Sequence, residues 1–319
     1  MERAAAGRHC GRNMSDMPKI ASLASILLCL GCAPAEIATD AGADAPADSG
    51  RAMSDASPPD AGDASDAGLP DAGPPPAALV VDADFEDGAL GDPCGGADGF
   101  DEPFSLSVRD DTHVFEGETA CRLGVNEGSL GFGQLGGIIN RRLGELSRGD
   151  ELWLRISLYV PSDYVFTSGR SKFLRLRTYA ADDGPSRGYL DWYLAPNHDR
   201  PHAWIYEGSH MWRSYGSPED NIQRDTWETY EIYYFLDDTP VDEGGEARVR
   251  LWKDGVLLGE ITDQRTLVEA TDVARNLLIF TYYDNDGAPR SQNLWIDRLQ
   301  VALEEPPGRD ADGNPYLGL

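Results

Sequence analysis

Positive charge is scarce in this chain: 27 Lys and Arg stand against 55 Asp and Glu, leaving a formal net charge of −28. Such a balance repels phosphate backbones and excludes nucleic acid as a partner. Cysteine is nearly as rare, with five residues, and no Gly-x-Ser-x-Gly surrounds a serine, so no nucleophile arrangement is visible. A sustained helical period is also missing. Only the residues around Leu267 to Asn276 read as a short helix or an irregular crossing. Aromatic residues are absent between Ala33 and Ala78, and the apolar run from Leu23 to Cys32 is too short to span a bilayer as a helix.

That run follows Lys19 and closes on Leu30-Gly31-Cys32. A small residue ahead of a cysteine suits a signal peptidase, and the pattern resembles the lipobox of bacterial lipoproteins, with Cys29 where that pattern prefers Leu. The resemblance implies that residues 1–31 are a cleaved export signal and that Cys32 is acylated; translation from Met14 or Met17 would serve as well as from Met1. Ala33 in place of Asp favours the outer membrane or cell surface of a Gram-negative host. Residues 32–78 repeat Asp-Ala-Gly at Asp40, Asp60, Asp66 and Asp71 and carry too little apolar surface to offset ordering entropy, so they read as a disordered tether. Cys10 and Cys29 precede the cleavage and Cys32 carries lipid, which leaves Cys94 and Cys121. An even pair in an exported domain reads as a disulfide, with two buried thiols as the alternative.

Residues 79–304 turn globular and read as one large all-β domain, followed by a flexible tail at 305–319. In Glu151 to Val160, Leu152, Leu154, Ile156, Leu158 and Val160 fall on one face, and Trp153, Arg155, Ser157 and Tyr159 on the other. Similar alternation recurs through the domain, broken by turn signals. Lys253-Asp254-Gly255 between two such runs marks a hairpin. Many antiparallel strands without intervening helices predict a two-sheet β-sandwich.

The opening Asp82 to Gly91, the central Gly149 to Pro161 followed by Arg170 to Thr178, the pair Trp227 to Tyr234 and Arg248 to Leu258, and the closing Phe280 to Val301 together resemble the concanavalin A-like jelly roll. Their order and length are similar to its polysaccharide lyase-like branch, the alginate, glucuronan and heparin lyases. The resemblance implies a sugar groove on the outer face of one curved sheet. Alternation supplies candidates for that face: Arg175, Arg177 and Tyr179; Tyr189, Asp191 and Tyr193; His202, Trp204 and Tyr206. Tyr and Trp rings stack on pyranoses and Arg forks bind carboxylates or sulfates, which points to an anionic polysaccharide. The alternative is that these Arg pair with Asp191 and other neighbours on a solvated face.

A lyase acting on uronate sugars needs a cation to neutralise the carboxylate and a base for the C5 proton. Arg177, His210 and Tyr283 are the candidates for those roles, with Gln292 as a further substrate contact. The chain lacks the internal Glu of the family's Arg-rich strand, the Gln-x-His strand, and the Lys of its late Tyr/Lys/Gln motif. Glycoside hydrolysis is disfavoured, because Glu228 and Glu231 stand three apart on a strand and face opposite ways. No cofactor is required. Asp84, Glu86 and Asp297 resemble acids that hold a structural Ca²⁺ in related sandwiches, and Asp284 to Gly287 offers a second oxygen-rich turn. Two function classes stay open: an envelope-anchored polysaccharide lyase, or a non-catalytic carbohydrate-binding or adhesion module.

Overall fold

A computed structural model of the chain describes residues 78–166, 171–181, 184–194, 204–208, 211–215, 221–283 and 285–318. The export segment, Cys32 and the tether therefore lie outside the described residues. The strands are β1 (Leu79–Ala83), β2 (Glu102–Pro103), β3 (Ser107–Asp110), β4 (Ala120–Val125), β5 (Gly137–Ile139), β6 (Glu151–Tyr159), β7 (Ser171–Tyr179) and β8 (Ser186–Leu194), then β9 (Trp204–Gly208), β10 (Met211–Tyr215), β11 (Trp227–Phe235), β12 (Arg248–Lys253), β13 (Val256–Ile261), β14 (Val273–Tyr282) and β15 (Gln292–Ala302). Among the described residues there is no α-helix, and a single 3-10 turn spans Val241–Glu243. The segment beginning at Leu267, where a short helix was one expectation, is an irregular crossing that runs into β14.

The strands form two antiparallel sheets. An eight-stranded sheet has the order β13-β12-β11-β6-β15-β4-β3, with β1 also paired to β15. A seven-stranded sheet has the order β10-β9-β8-β7-β14-β5-β2. Their facing sides meet in one apolar core, in which Leu154, Ile156 and Tyr230 of the first sheet join Phe173, Leu176 and Trp192 of the second. The Phe173 ring stands edge-on to Tyr230, 5.9 Å away, and each fully buried side chain of this size contributes roughly 1.5 to 3 kcal/mol. The expected Asp-Gly turn joins β12 to β13 with positive φ at both Asp254 (49°) and Gly255 (79°), which matches the twist of the flanking strands.

Cys94 and Cys121 are disulfide-bonded. On the chain-entropy account, closing a loop with a separation of 27 residues stabilises the fold by about 3.5 kcal/mol.

The second face of the eight-stranded sheet is covered in part. Trp153, Arg155, Ser157 and Tyr159 alternate with the core residues of β6, yet all four are buried. Over one end lie His113 and Phe115, with the His113 ring stacked 4.0 Å from Tyr159 and Phe115 against Trp227. Over the other end lies the segment after Glu304, which was expected to be a flexible tail. Tyr316 and Leu317 pack onto Trp153, Tyr233 and Trp252, and the Trp252 indole N–H donates to Asp310 (2.8 Å). Asp310 in turn accepts the Asn314 amide N–H (2.8 Å), closing a turn that presents the two apolar anchors.

Candidate functional site

With one face of the eight-stranded sheet in the core and part of the other covered, two outer surfaces are open to a ligand: a cleft of about 500 Å³ beside Trp153, Tyr233 and Arg250, and the outer face of the seven-stranded sheet, which gathers the residues the sequence singles out. Directly paired residues on antiparallel strands share a face, so the register reads out its rows. Tyr282 of β14, Lys172 of β7 and Tyr193 of β8 form the first row. Leu278, Arg175 and Asp191 form the second, and Arg177 with Tyr189 continues a third. Tyr179 follows on β7, paired with Ser186.

The Arg175 Nε donates to both Asp191 oxygens, at 3.1 and 3.0 Å, and its guanidinium lies 3.8 Å from the Tyr189 ring centre. The Tyr193 hydroxyl donates to the same carboxylate at 3.1 Å. The Arg177 guanidinium sits 4.8 Å from the Tyr179 ring, which carries Arg275 at 4.4 Å and receives the Asn276 side-chain N–H on its hydroxyl (2.8 Å). The Lys172 ammonium lies 4.4 Å from the Tyr282 ring. A cleft of about 210 Å³ opens among Lys172, Arg175, Arg187, Tyr189, Asp191 and Tyr193. Arg187 is held in its wall by Asp272 (3.2 Å) and Glu269 (3.0 Å) from the segment before β14.

Asp191 is 1% exposed. Burial pushes its carboxyl up to about 6, and the Arg175 charge opposes that only in part. The face therefore combines cations, tyrosine rings and one proton-binding acid, a set suited to anionic sugars: guanidinium forks for carboxylates, rings for pyranose faces.

The structure brings Arg175, Arg177, Tyr179, Asp191 and Tyr193 together as the alternation predicts. Other candidates stand elsewhere. Tyr283 is buried in the core, where its hydroxyl donates to the Val165 carbonyl. Its neighbour Tyr282 pairs with Lys172 and faces outward, after a register shift at which Phe280 joins Ile279 in the core. Gln292 belongs to β15 of the other sheet and is spent on one backbone: its Nε2 donates to the Val165 carbonyl (2.9 Å) and its Oε1 accepts the Val165 N–H (3.0 Å). In β9, position 204 pairs with Leu194, position 206 with Trp192 and position 207 with Asp191. His202 and His210 lie outside the described residues, as do His198 and Asp284.

Sequence reasoning missed Lys172. A bulge at Phe173 sends two successive side chains, Phe173 and Leu174, into the core, and this restores Lys172 to the outer face. The irregular register is invisible in a strict period-two reading.

The calcium candidates do not fit a cation. Asp84 accepts the Glu86 N–H (3.3 Å), and Glu86 accepts those of Glu118 (2.9 Å) and Thr119 (3.1 Å). Asp297 accepts the N–H groups of Phe115 (3.0 Å), Glu116 (3.3 Å) and Arg298 (2.8 Å). Among the described residues no three acidic, His or Cys side chains converge on one point. These carboxylates instead tie loops to the sheet.

The fold is a two-sheet antiparallel β-sandwich of jelly-roll type. The alginate lyase Aly36B shares it at a TM-score of 0.51 and 14% identity, over 70% of this chain and 98% of that one. A mutant of the same enzyme in complex with alginate trisaccharide matches at a TM-score of 0.50, with the same identity and coverage. At that identity the likeness is one of fold. No protein-family model and no curated protein matches the chain.

Proposed function

We propose that the outer face of the seven-stranded sheet binds an anionic polysaccharide and cleaves it by β-elimination at uronate residues. The observation that carries this reading is the bank of Lys172, Arg175, Arg177 and Arg275 set against tyrosine rings, in a chain whose net charge is −28. A cationic face is maintained there against the composition of the whole molecule. In the reaction, Arg175 neutralises the sugar carboxylate and so acidifies the C5 proton. Lys172 and Tyr282, side by side on adjacent strands, handle the protons: one removes the C5 proton and the other protonates O4. The C5–H electrons form the C4–C5 double bond as the C4–O4 bond breaks.

The purified protein is expected to produce absorbance near ~235 nm, the signature of the unsaturated uronate product, on at least one of alginate, glucuronan, heparin or pectin. Lys172→Ala and Tyr282→Phe should each lower the rate by about 10²-fold or more while changing binding little. Binding without product on every polyuronate would select the second reading, a non-catalytic module. That reading is favoured by one observation: Arg175 already spends its Nε edge on Asp191.

The proposal extends to location. The Leu30-Gly31-Cys32 sequence supports an exported protein held to the cell envelope by lipid on Cys32. Cys32→Ser should move the protein from the membrane fraction to the soluble one, and unchanged membrane partitioning would end the anchor reading.

A further inference from the structure

We propose that Asp191 couples anion binding at Arg175 to the uptake of a proton, so that the site grips uronate chains more tightly in mildly acidic surroundings. This rests on the reading of the face as an anionic-polysaccharide site and adds a regulation to it.

The argument starts from the edges of one guanidinium. Arg175 gives its Nε edge to both Asp191 oxygens, and one of its flat faces is covered by Tyr189. Among the described residues its two terminal nitrogens make no hydrogen bond, and the cleft opens beside them. A sugar carboxylate that docks on those nitrogens therefore shares the guanidinium with Asp191. Two carboxylates on one cation repel each other, and the buried one has no water to screen it. A proton on Asp191 removes the repulsion and leaves an O–H donor in place.

Charged and polar groups from the neighbouring elements surround Asp191. From β7 it faces Lys172 and Arg175, and from β8 Tyr189, Tyr193 and Arg187. The segment before β14 contributes Thr266 and Val268 to the cleft, and its Glu269 and Asp272 are taken by Arg187. On β9 the paired position is Glu207. His198, His202 and His210 lie outside the described residues.

The direction of the effect follows from linkage. Burial already lifts the Asp191 carboxyl to about 6 in the free protein. A second negative charge on Arg175 lifts it further, so binding takes up a proton between the free and the bound values. Above both values Asp191 stays ionised and affinity is low. Below the free value it is already neutral, affinity is highest and uptake ceases.

The test uses calorimetry of a mannuronate tetrasaccharide on the full chain carrying Tyr282→Phe, to suppress turnover, in two buffers of different ionisation enthalpy. Binding is expected to be roughly tenfold tighter at about pH 5 than at about pH 7.5, the equivalent of one unit of pKa displacement. Proton uptake of about half a proton per site should appear near about pH 6.5, between the free and bound values. Asp191→Asn, which keeps an acceptor for Arg175, should flatten the profile and abolish uptake. A flat profile in the parent, or a pH dependence that survives in Asp191→Asn, overturns the proposal and leaves the polysaccharide reading intact. Absence of binding at either pH overturns both.

Discussion

The domain should melt at a higher temperature near pH 5 than near pH 8, the reverse of the common decline toward acid. Three buried carboxyls are responsible. Glu231 is pushed up to about 7, Asp297 to about 7 and Asp191 to about 6, each chiefly by burial. A carboxyl whose folded-state value lies above its unfolded value of about 4 binds more protons folded than unfolded throughout that interval, so stability falls as pH rises through it. One unit corresponds to about 1.4 kcal/mol, so the three together are worth on the order of 8 kcal/mol at most between about pH 7.5 and 4.5. The opposite sign governs Asp98, Asp101, Asp110 and Asp310, which backbone and side-chain donors hold below the usual carboxylate range. Their stabilisation is lost only when pH falls through those lowered values, which places the optimum near pH 5. Calorimetry at about pH 8, 5 and 3 checks it. Glu231→Gln, which keeps an acceptor for the Leu317 N–H, should flatten the upper limb. A melting temperature at pH 8 that equals or exceeds the value at pH 5 refutes the account.

Arg175→Ala is expected to cost stability as well as binding. On sequence grounds, removal of Arg175 and Arg177 would weaken anionic-glycan binding and leave the fold nearly intact, because both would sit on a solvated face. The structure changes the first half of that pair. Arg175 partners a carboxylate that is 1% exposed, and breaking such a pair typically costs about 3 to 5 kcal/mol. For a domain of this size that is on the order of 10 °C in Tm at neutral pH. Arg175→Ala combined with Asp191→Asn should recover most of the loss, since no buried charge is then left unpaired. Arg177 makes a side-chain hydrogen bond to Ser186 and stacks on Tyr179, so Arg177→Ala should leave Tm within a few degrees. A double variant no more stable than Arg175→Ala alone would show that Asp191 is not the cause.

The sandwich was legible because its strands obey a simple rule. β6 sends Leu152, Leu154, Ile156 and Leu158 inward, as a period of two demands, and the Asp254-Gly255 turn carries its own geometry. The β7–β8 half of the site was legible for the same reason. What was lost depends on events that leave no mark in a periodic reading. The bulge at Phe173 hid Lys172. The connection between β8 and β9 sets which positions pair across them, and a sequence does not state how many residues a turn consumes. Tyr283 and Gln292 were chosen by likeness to a family motif, and the break of period at Phe280, which joins Ile279 in the core, is not written in the sequence. The acids at Asp84, Glu86 and Asp297 look like ligands in one dimension because a backbone N–H, which occupies them here, is not written in the sequence.

The segment laid over the outer side of the eight-stranded sheet has an optical consequence. Trp153 and Trp252, 2% and 0% exposed, lie beneath Tyr316 and Leu317, and the Trp252 indole is hydrogen-bonded to Asp310. Indole emission shifts to longer wavelength when water reaches the ring, so lifting this cover would redden the protein's fluorescence while the strands beneath stayed paired. The chain thus carries a spectroscopic reporter for one edge of its architecture, separate from the far-ultraviolet signal of its sheets.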